Sequence, residues 1–112
     1  MFNDLKGKRV LITGSTAGMG LATARVFAKY GAKIGLNSHM TGPEADAAVT
    51  ELTALGGDVA FFQANLMETA DCEKLVAEFT AHFGGMDILI NNAGGLGGVK
   101  TLKTLMMLST SA

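Results

Sequence analysis

Apolar residues along this chain follow two alternating rhythms: short solid runs, and longer stripes spaced by three or four residues. The solid runs are Arg9-Val10-Leu11-Ile12-Thr13, Ala32-Lys33-Ile34-Gly35-Leu36-Asn37, Val59-Ala60-Phe61-Phe62 and Met86-Asp87-Ile88-Leu89-Ile90. They are short and rich in β-formers, so they predict four strands. The stripes between them predict helices. Met19, Ala22, Val26, Phe27 and Tyr30 mark one face of a first helix, and Gly31 ends it at the position where a left-handed residue belongs. Ala45, Ala48, Val49, Leu52 and Leu55 mark a second helix, which Gly56-Gly57 end. At its start Thr41 and Glu44 have capping-box spacing, and Pro43 suits the first turn. Cys72, Leu75, Val76, Phe79 and Phe83 mark a third helix, with Thr69 as its cap and Gly84-Gly85 at its end.

The order is therefore β-α-β-α-β-α-β. Strands this apolar need cover on both faces, which is the habit of parallel sheets with helical crossovers. Right-handed crossovers then give an α/β fold with a doubly wound, Rossmann-like parallel sheet. Residues 1–98 make up this unit, residues 99–112 are a tail to which the pattern assigns no element, and the pattern reads as truncated after the fourth strand.

Composition narrows the function classes. Hydrophobic residues are 48% and charged residues 17% of the chain, which excludes an intrinsically disordered protein. A net charge of -1 leaves no electrostatic footprint for nucleic acid or an anionic membrane. No apolar run approaches the roughly 20 residues a spanning helix needs, and residues 1–8 lack the layout of a secretory signal. Cys72 is alone and reads as a small buried residue in a reducing compartment. His39 and His82 are far apart, and no Cys or His pair has metal-ligand spacing. These features predict a cytoplasmic, metal-free protein with no nucleic-acid or membrane partner.

The candidate chemistry starts at Thr13-Gly14-Ser15-Thr16-Ala17-Gly18-Met19-Gly20, between the first strand and the first helix. A sharp turn needs a residue without a Cβ, which Gly14 supplies. Gly18 permits a pyrophosphate to approach the backbone, and the helix N-terminus offers unpaired N–H groups to the anion. Gly20 allows close packing of the helix. A tight turn that holds no ligand would account for the same glycines.

The spacing is T-G-x-x-x-G-x-G, and Asn91-Asn92-Ala93-Gly94 follows the fourth strand. With both motifs in place, residues 5 to 98 resemble the short-chain dehydrogenase/reductase family. Thr13-Gly14-Ser15-Thr16 and Leu36-Asn37 look most like its 3-hydroxybutyrate dehydrogenase and 3-oxoacyl-carrier-protein reductase branches. The resemblance implies a nicotinamide dinucleotide as partner, with Gly14, Ser15, Thr16, Gly18, Met19 and Gly20 around its pyrophosphate and adenosine ribose. It implies that Asn92, Ala93 and Gly94 line the cofactor side of the cleft, while Asn91 ties strands together. Asn65-Leu66 falls where the family often places an Asp and an apolar residue against adenine. A turn residue before the third helix is the other reading of Asn65.

The end of the second strand, Asn37-Ser38-His39-Met40, is where such folds choose between NAD and NADP. No carboxylate stands there to repel a 2′-phosphate, and no Lys or Arg stands there to bind one. The missing cation tilts the choice slightly to NAD. His39 could meet a 2′-phosphate when protonated, or could simply be a solvated loop residue.

The family's chemistry uses a Tyr as general acid/base, a Lys four residues later that lowers the Tyr pKa, and a Ser that orients the substrate oxygen. An ordinary Tyr titrates near about 10 and must be shifted toward neutrality to serve. The one tyrosine of this sequence, Tyr30, is followed four positions on by Ile34, so Tyr-x-x-x-Lys is absent and the chain alone is expected to be inactive. Ser109, in Leu105-Met106-Met107-Leu108-Ser109-Thr110-Ser111, loosely resembles the family's serine-bearing strand. However, about ten glycine-rich residues separate Gly94 from Thr104, and a parallel crossover needs about a dozen or more. An uncovered sheet edge would favour self-association. A nucleotide-binding module without catalysis and an incomplete structural fragment remain the alternatives to an oxidoreductase.

Overall fold

The computed structural model describes residues 2–92. A short 3-10 turn, Phe2–Leu5, leads into β1 (Arg9–Thr13), α1 (Gly18–Lys29), β2 (Lys33–Ser38), α2 (Pro43–Ala54), β3 (Asp58–Gln63), α3 (Thr69–Phe83) and β4 (Ile88–Asn91). The four strands are parallel and ordered β3-β2-β1-β4. The chain steps outward from β1 through β2 to β3, then crosses back to the other side of β1. That reversal sets a topological switch point between β1 and β4, where open α/β sheets place their ligands. This is the doubly wound α/β sheet that the sequence predicts.

The period of two along the strands sorts the core into two layers. Val10, Ile12, Ile34 and Leu36 pack with Ala24 and Ala28 of α1 and Ala48 and Leu52 of α2. Leu11 and Phe62 point to the other face and meet Cys72, Leu75, Val76 and Phe79 of α3. Both faces are covered, so the strands carry no polar side, and their runs are solid rather than alternating.

Three details differ from the sequence pattern. The buried face of α1 is Gly20, Ala24 and Ala28, whereas Met19, Ala22, Val26 and Tyr30 are exposed. Small residues bring α1 close to the sheet, so the side that packs is the one with little apolar volume, and a search for large apolar residues selects the wrong stripe. Thr41 does not cap α2. Its N-cap is Gly42 (φ 127°), no side chain caps it, and Pro43 occupies the first turn. Thr69 is the first residue of α3 rather than its cap, which is Glu68. The helix ends hold as expected: Gly31 (φ 78°) and Gly84 (φ 83°) take the left-handed conformation. Residues 93–112, and with them Ala93, Gly94, Ser109 and the tail, lie outside the described residues.

Candidate functional site

The loop from β1 to α1 is fastened from within. The Ser15 hydroxyl donates to the Ile12 carbonyl (2.6 Å) and accepts from the Asn37 N–H (2.9 Å), while the Ser15 N–H donates to the Asn37 carbonyl (2.8 Å). Asn37 is buried at the carboxyl end of β2. Its Oδ1 accepts from the Gly14 N–H (3.2 Å), and its Nδ2 donates to the carbonyls of Phe62 (3.1 Å) and Ala64 (3.4 Å). One amide thus joins the glycine loop to β2 and β3. Ser15 and Asn37 both turn their polar atoms into the protein and hold the shape of the loop.

The far end of the loop is left open. Ala17 is the N-cap of α1, with no side-chain hydrogen bond, and the first intrahelical bond runs from the Leu21 N–H to the Ala17 carbonyl (3.3 Å). The N–H groups of Gly18, Met19 and Gly20 therefore stand at an uncapped helix start. Gly18 has φ 58°, which favours glycine, and a Cβ there would meet nothing within 4 Å. Gly20 is the opposite case. Its Cβ would lie 2.4 Å from the Gly14 carbonyl oxygen, 2.8 Å from Asn92 Nδ2 and 2.9 Å from Ser15 Cα. Gly20 brings the helix against the loop, and Gly18 leaves the approach to the helix end clear.

The other side of the switch point is built by β4. Thr13 Oγ1 donates to Asn91 Oδ1 (2.7 Å) and accepts from the Asn92 N–H (2.9 Å). Asn91 thus ties β4 to β1. Asn92 Nδ2 donates to the Gly14 carbonyl (3.0 Å), so Asn92 braces the glycine loop from the β4 side.

A cavity of about 250 Å³ opens beside the end of β2, lined by Thr16, Ser38, His39, Met40, Thr41, Pro43, Glu44 and Ala45. Thr16 Oγ1 donates to Glu44 Oε1 (3.0 Å). Ser38 Oγ accepts from the Met40 N–H (3.2 Å), and the His39 carbonyl accepts from Gln63 Nε2 (2.8 Å). Glu44 has capping-box spacing from Thr41, but its carboxylate turns to Thr16 and lines this cavity instead. On the β3 side, Asn65 Oδ1 accepts from the Met67 N–H (3.1 Å), and its own N–H donates to Asp71 Oδ2 (2.7 Å), the geometry of a turn before α3. Leu66 is half-buried against the core layer that α3 covers. Gly14, Ser15, Thr16, Gly18, Met19, Gly20, Asn37, Ser38, His39, Asn65 and Asn92 therefore sit at the carboxyl ends of the strands, on one edge of the sheet.

A family model described as short chain dehydrogenase matches residues 8–109. The chain belongs to the short-chain dehydrogenase family. Among the curated members of this family, a short chain dehydrogenase, mdpC, of Emericella nidulans is 38% identical over 90 residues, spanning 80% of this chain and 34% of that protein. A D-beta-hydroxybutyrate dehydrogenase of Cupriavidus necator is 40% identical over 92 residues, with the same shares. Among solved structures, the NADH-dependent reductase A1-R′ in complex with NAD superposes with TM-score 0.89 at 42% identity, covering 97% of this chain and 53% of that one. A blue fluorescent protein from a metagenomic library, in complex with NADPH, gives TM-score 0.86 at 26% identity, covering 96% and 52%. This short-chain dehydrogenase chain spans about a third of the length of those curated relatives and about half of those solved structures.

Proposed function

We propose that this chain binds a nicotinamide dinucleotide across the carboxyl edge of its sheet, as the cofactor-binding portion of an oxidoreductase that moves hydride between alcohols and carbonyls. The carrying observation is the uncapped start of α1. Three N–H groups face a space that Gly18 keeps free of side chain, which is a cradle for a pyrophosphate. The residues present fit the group. Gly18, Met19 and Gly20 would hold the pyrophosphate, and Thr16, Ser38 and His39 would border the adenosine ribose. Asn65 and Leu66 would border adenine, and Asn92 the inner cleft. Ser15, Asn37 and Gly14 would act by fixing the loop. The bound dinucleotide supplies the hydride donor or acceptor. Relatives in complex with NAD and with NADPH support the reading. A cytoplasmic setting suits the buried Cys72 thiol, and no helix among the described residues is long and apolar enough to cross a membrane.

The absence of Tyr-x-x-x-Lys from these 112 residues favours binding without turnover for the chain by itself. Calorimetric titration with NADH and with NADPH, run beside a hydride-transfer assay, tests both parts. Saturable binding without turnover is expected. Failure of both nucleotides to bind overturns the reading, and turnover would require a different assignment of catalytic roles.

A further inference from the structure

The cavity beside β2 contains a carboxylate that the end of β2 itself lacks. Glu44 comes from the first turn of α2, and its Oε1 is held by the Thr16 hydroxyl at 3.0 Å. Thr16 is buried in the glycine loop, so the same segment that carries the open helix start also fixes the position of this acid. The cavity lining includes no Lys or Arg. The start of α2 offers an anion little. Pro43 has no N–H to give, and Glu44 and Asp46 already place two negative charges in its first turn.

We infer that Glu44 sets the preference of this site for NAD over NADP, by accepting a hydrogen bond from the ribose 2′-hydroxyl and repelling a 2′-phosphate. The inference rests on the dinucleotide reading above. Its physical basis is the rule that a carboxylate at this place in a doubly wound sheet discriminates between hydroxyl and phosphate. Here the carboxylate is supplied by the next helix rather than by the strand. The Thr16 hydroxyl donates to one carboxylate oxygen, which leaves Oε2 and the second lone pair of Oε1 as acceptors. His39 borders the same cavity from the end of β2, and the exposed Met40 offers apolar surface beside it.

The test measures dissociation constants of NADH and NADPH for the full chain, for Glu44→Gln and for Glu44→Lys, with circular dichroism melts to confirm that each folds. Glu44 is exposed and takes part in neither core layer, so both variants are expected to fold. The wild-type chain should bind NADH at least about tenfold more tightly than NADPH, the ratio that one well-placed charge–hydrogen-bond difference supports. Glu44→Gln should reduce that ratio about fivefold or more, chiefly by tighter NADPH binding, and Glu44→Lys should reverse it. NADH binding with a ratio unchanged in Glu44→Gln and in Glu44→Lys overturns this inference and leaves the dinucleotide reading standing. No binding of either nucleotide to the wild-type chain overturns both.

Discussion

The side-chain oxygen of Asn37 lies 3.2 Å from the backbone nitrogen of Gly14, and that contact shapes the glycine loop. The same amide donates to the carbonyls of Phe62 and Ala64, so one buried side chain meets three backbone groups. Asn37→Ala would remove the side-chain acceptor of the Gly14 N–H and the side-chain donor to the Phe62 and Ala64 carbonyls. A buried group left unpaired costs about 1–3 kcal/mol, so the expected loss in urea unfolding is about 2 kcal/mol. Asn37→Asp should be worse, because a buried carboxylate would face two carbonyl oxygens. A residue that served the ligand alone would leave stability untouched, so a loss under about 0.5 kcal/mol on the Ala variant would refute the scaffold role.

Gly18 and Gly20 are two positions apart, and alanine should destabilise them for different reasons. At Gly20 the new Cβ meets the Gly14 carbonyl oxygen and Ser15 Cα, which are backbone atoms with no freedom to turn aside. Overpacking of this kind costs about 1–3 kcal/mol, which outweighs the gain of up to about 1 kcal/mol that Ala brings to a helix. At Gly18 the Cβ enters open space, and only the left-handed backbone is strained, by about 1–2 kcal/mol. Gly18→Val would add bulk in the ligand's path, so it should abolish NADH binding while the protein still melts cooperatively. Intact binding by a folded Gly18→Val would remove the pyrophosphate cradle from the account.

Much of this arrangement could be read from the chain, for a physical reason. Val10, Leu11 and Ile12 are buried whichever way they point, so β1 is written as a continuous apolar run. The positive φ angles of Gly14, Gly31 and Gly84 require glycine, so those turns are written as single letters. The packing face of α1 was not legible in the same way. Close approach needs small side chains, and Ala24 and Ala28 carry little signal beside Met19 and Val26. Nor was Asn37 recognisable as a clamp, because its partners Gly14, Phe62 and Ala64 are distant in sequence and are backbone groups. Glu44 escaped for a related reason. Its Thr16 contact joins the glycine loop to the first turn of α2, and local capping rules gave the residue another use.

Gly35 sits in the middle of β2, where glycine has no turn to make. Its Cβ would lie 2.5 and 2.6 Å from Phe79 Cδ2 and Cε2, and 3.2 Å from Leu11 Cδ1. Phe79 is fully buried, and its ring packs between Phe62 and Phe83 at centroid distances of 5.9 and 5.1 Å. The ring fills the space that a side chain on β2 would occupy and has nowhere to retreat. Gly35→Ala should therefore destabilise by about 1–3 kcal/mol despite a gain in strand propensity. Phe79→Leu shortens the opposing side chain, so the double variant should be more stable than the two single losses predict, by about 1 kcal/mol. Strict additivity in that cycle would show that the two positions do not compete for space.

The opposite edge of the sheet, away from the site, is joined by charge. Arg9 Nε and Nη2 each donate to a different oxygen of Asp87 at 2.9 Å, and the Arg9 N–H donates to Oδ2 at 2.9 Å. Gly85 leaves room for the guanidinium, since a Cβ there would lie 2.5 Å from Arg9 Nη1. Hydrogen bonds from the Arg9 side chain first, and from its backbone N–H second, hold the Asp87 carboxyl well below the usual carboxylate range. A depressed folded-state pKa stabilises the fold wherever the unfolded carboxyl is ionised, which is above about pH 4. The contribution shrinks as pH falls below that value, because the unfolded state then takes up a proton that the folded state resists. Both side chains are about one-third exposed, so water and salt screen the pair and the effect is moderate. Thermal melts of the wild type and Asp87→Asn should thus differ by a constant amount in Tm between pH 5 and 7. Below about pH 4 the two should converge. A Tm difference that stays the same from pH 7 to pH 3 would mean that Asp87 supports the β1–β4 pairing by shape and neutral hydrogen bonding rather than through its charge.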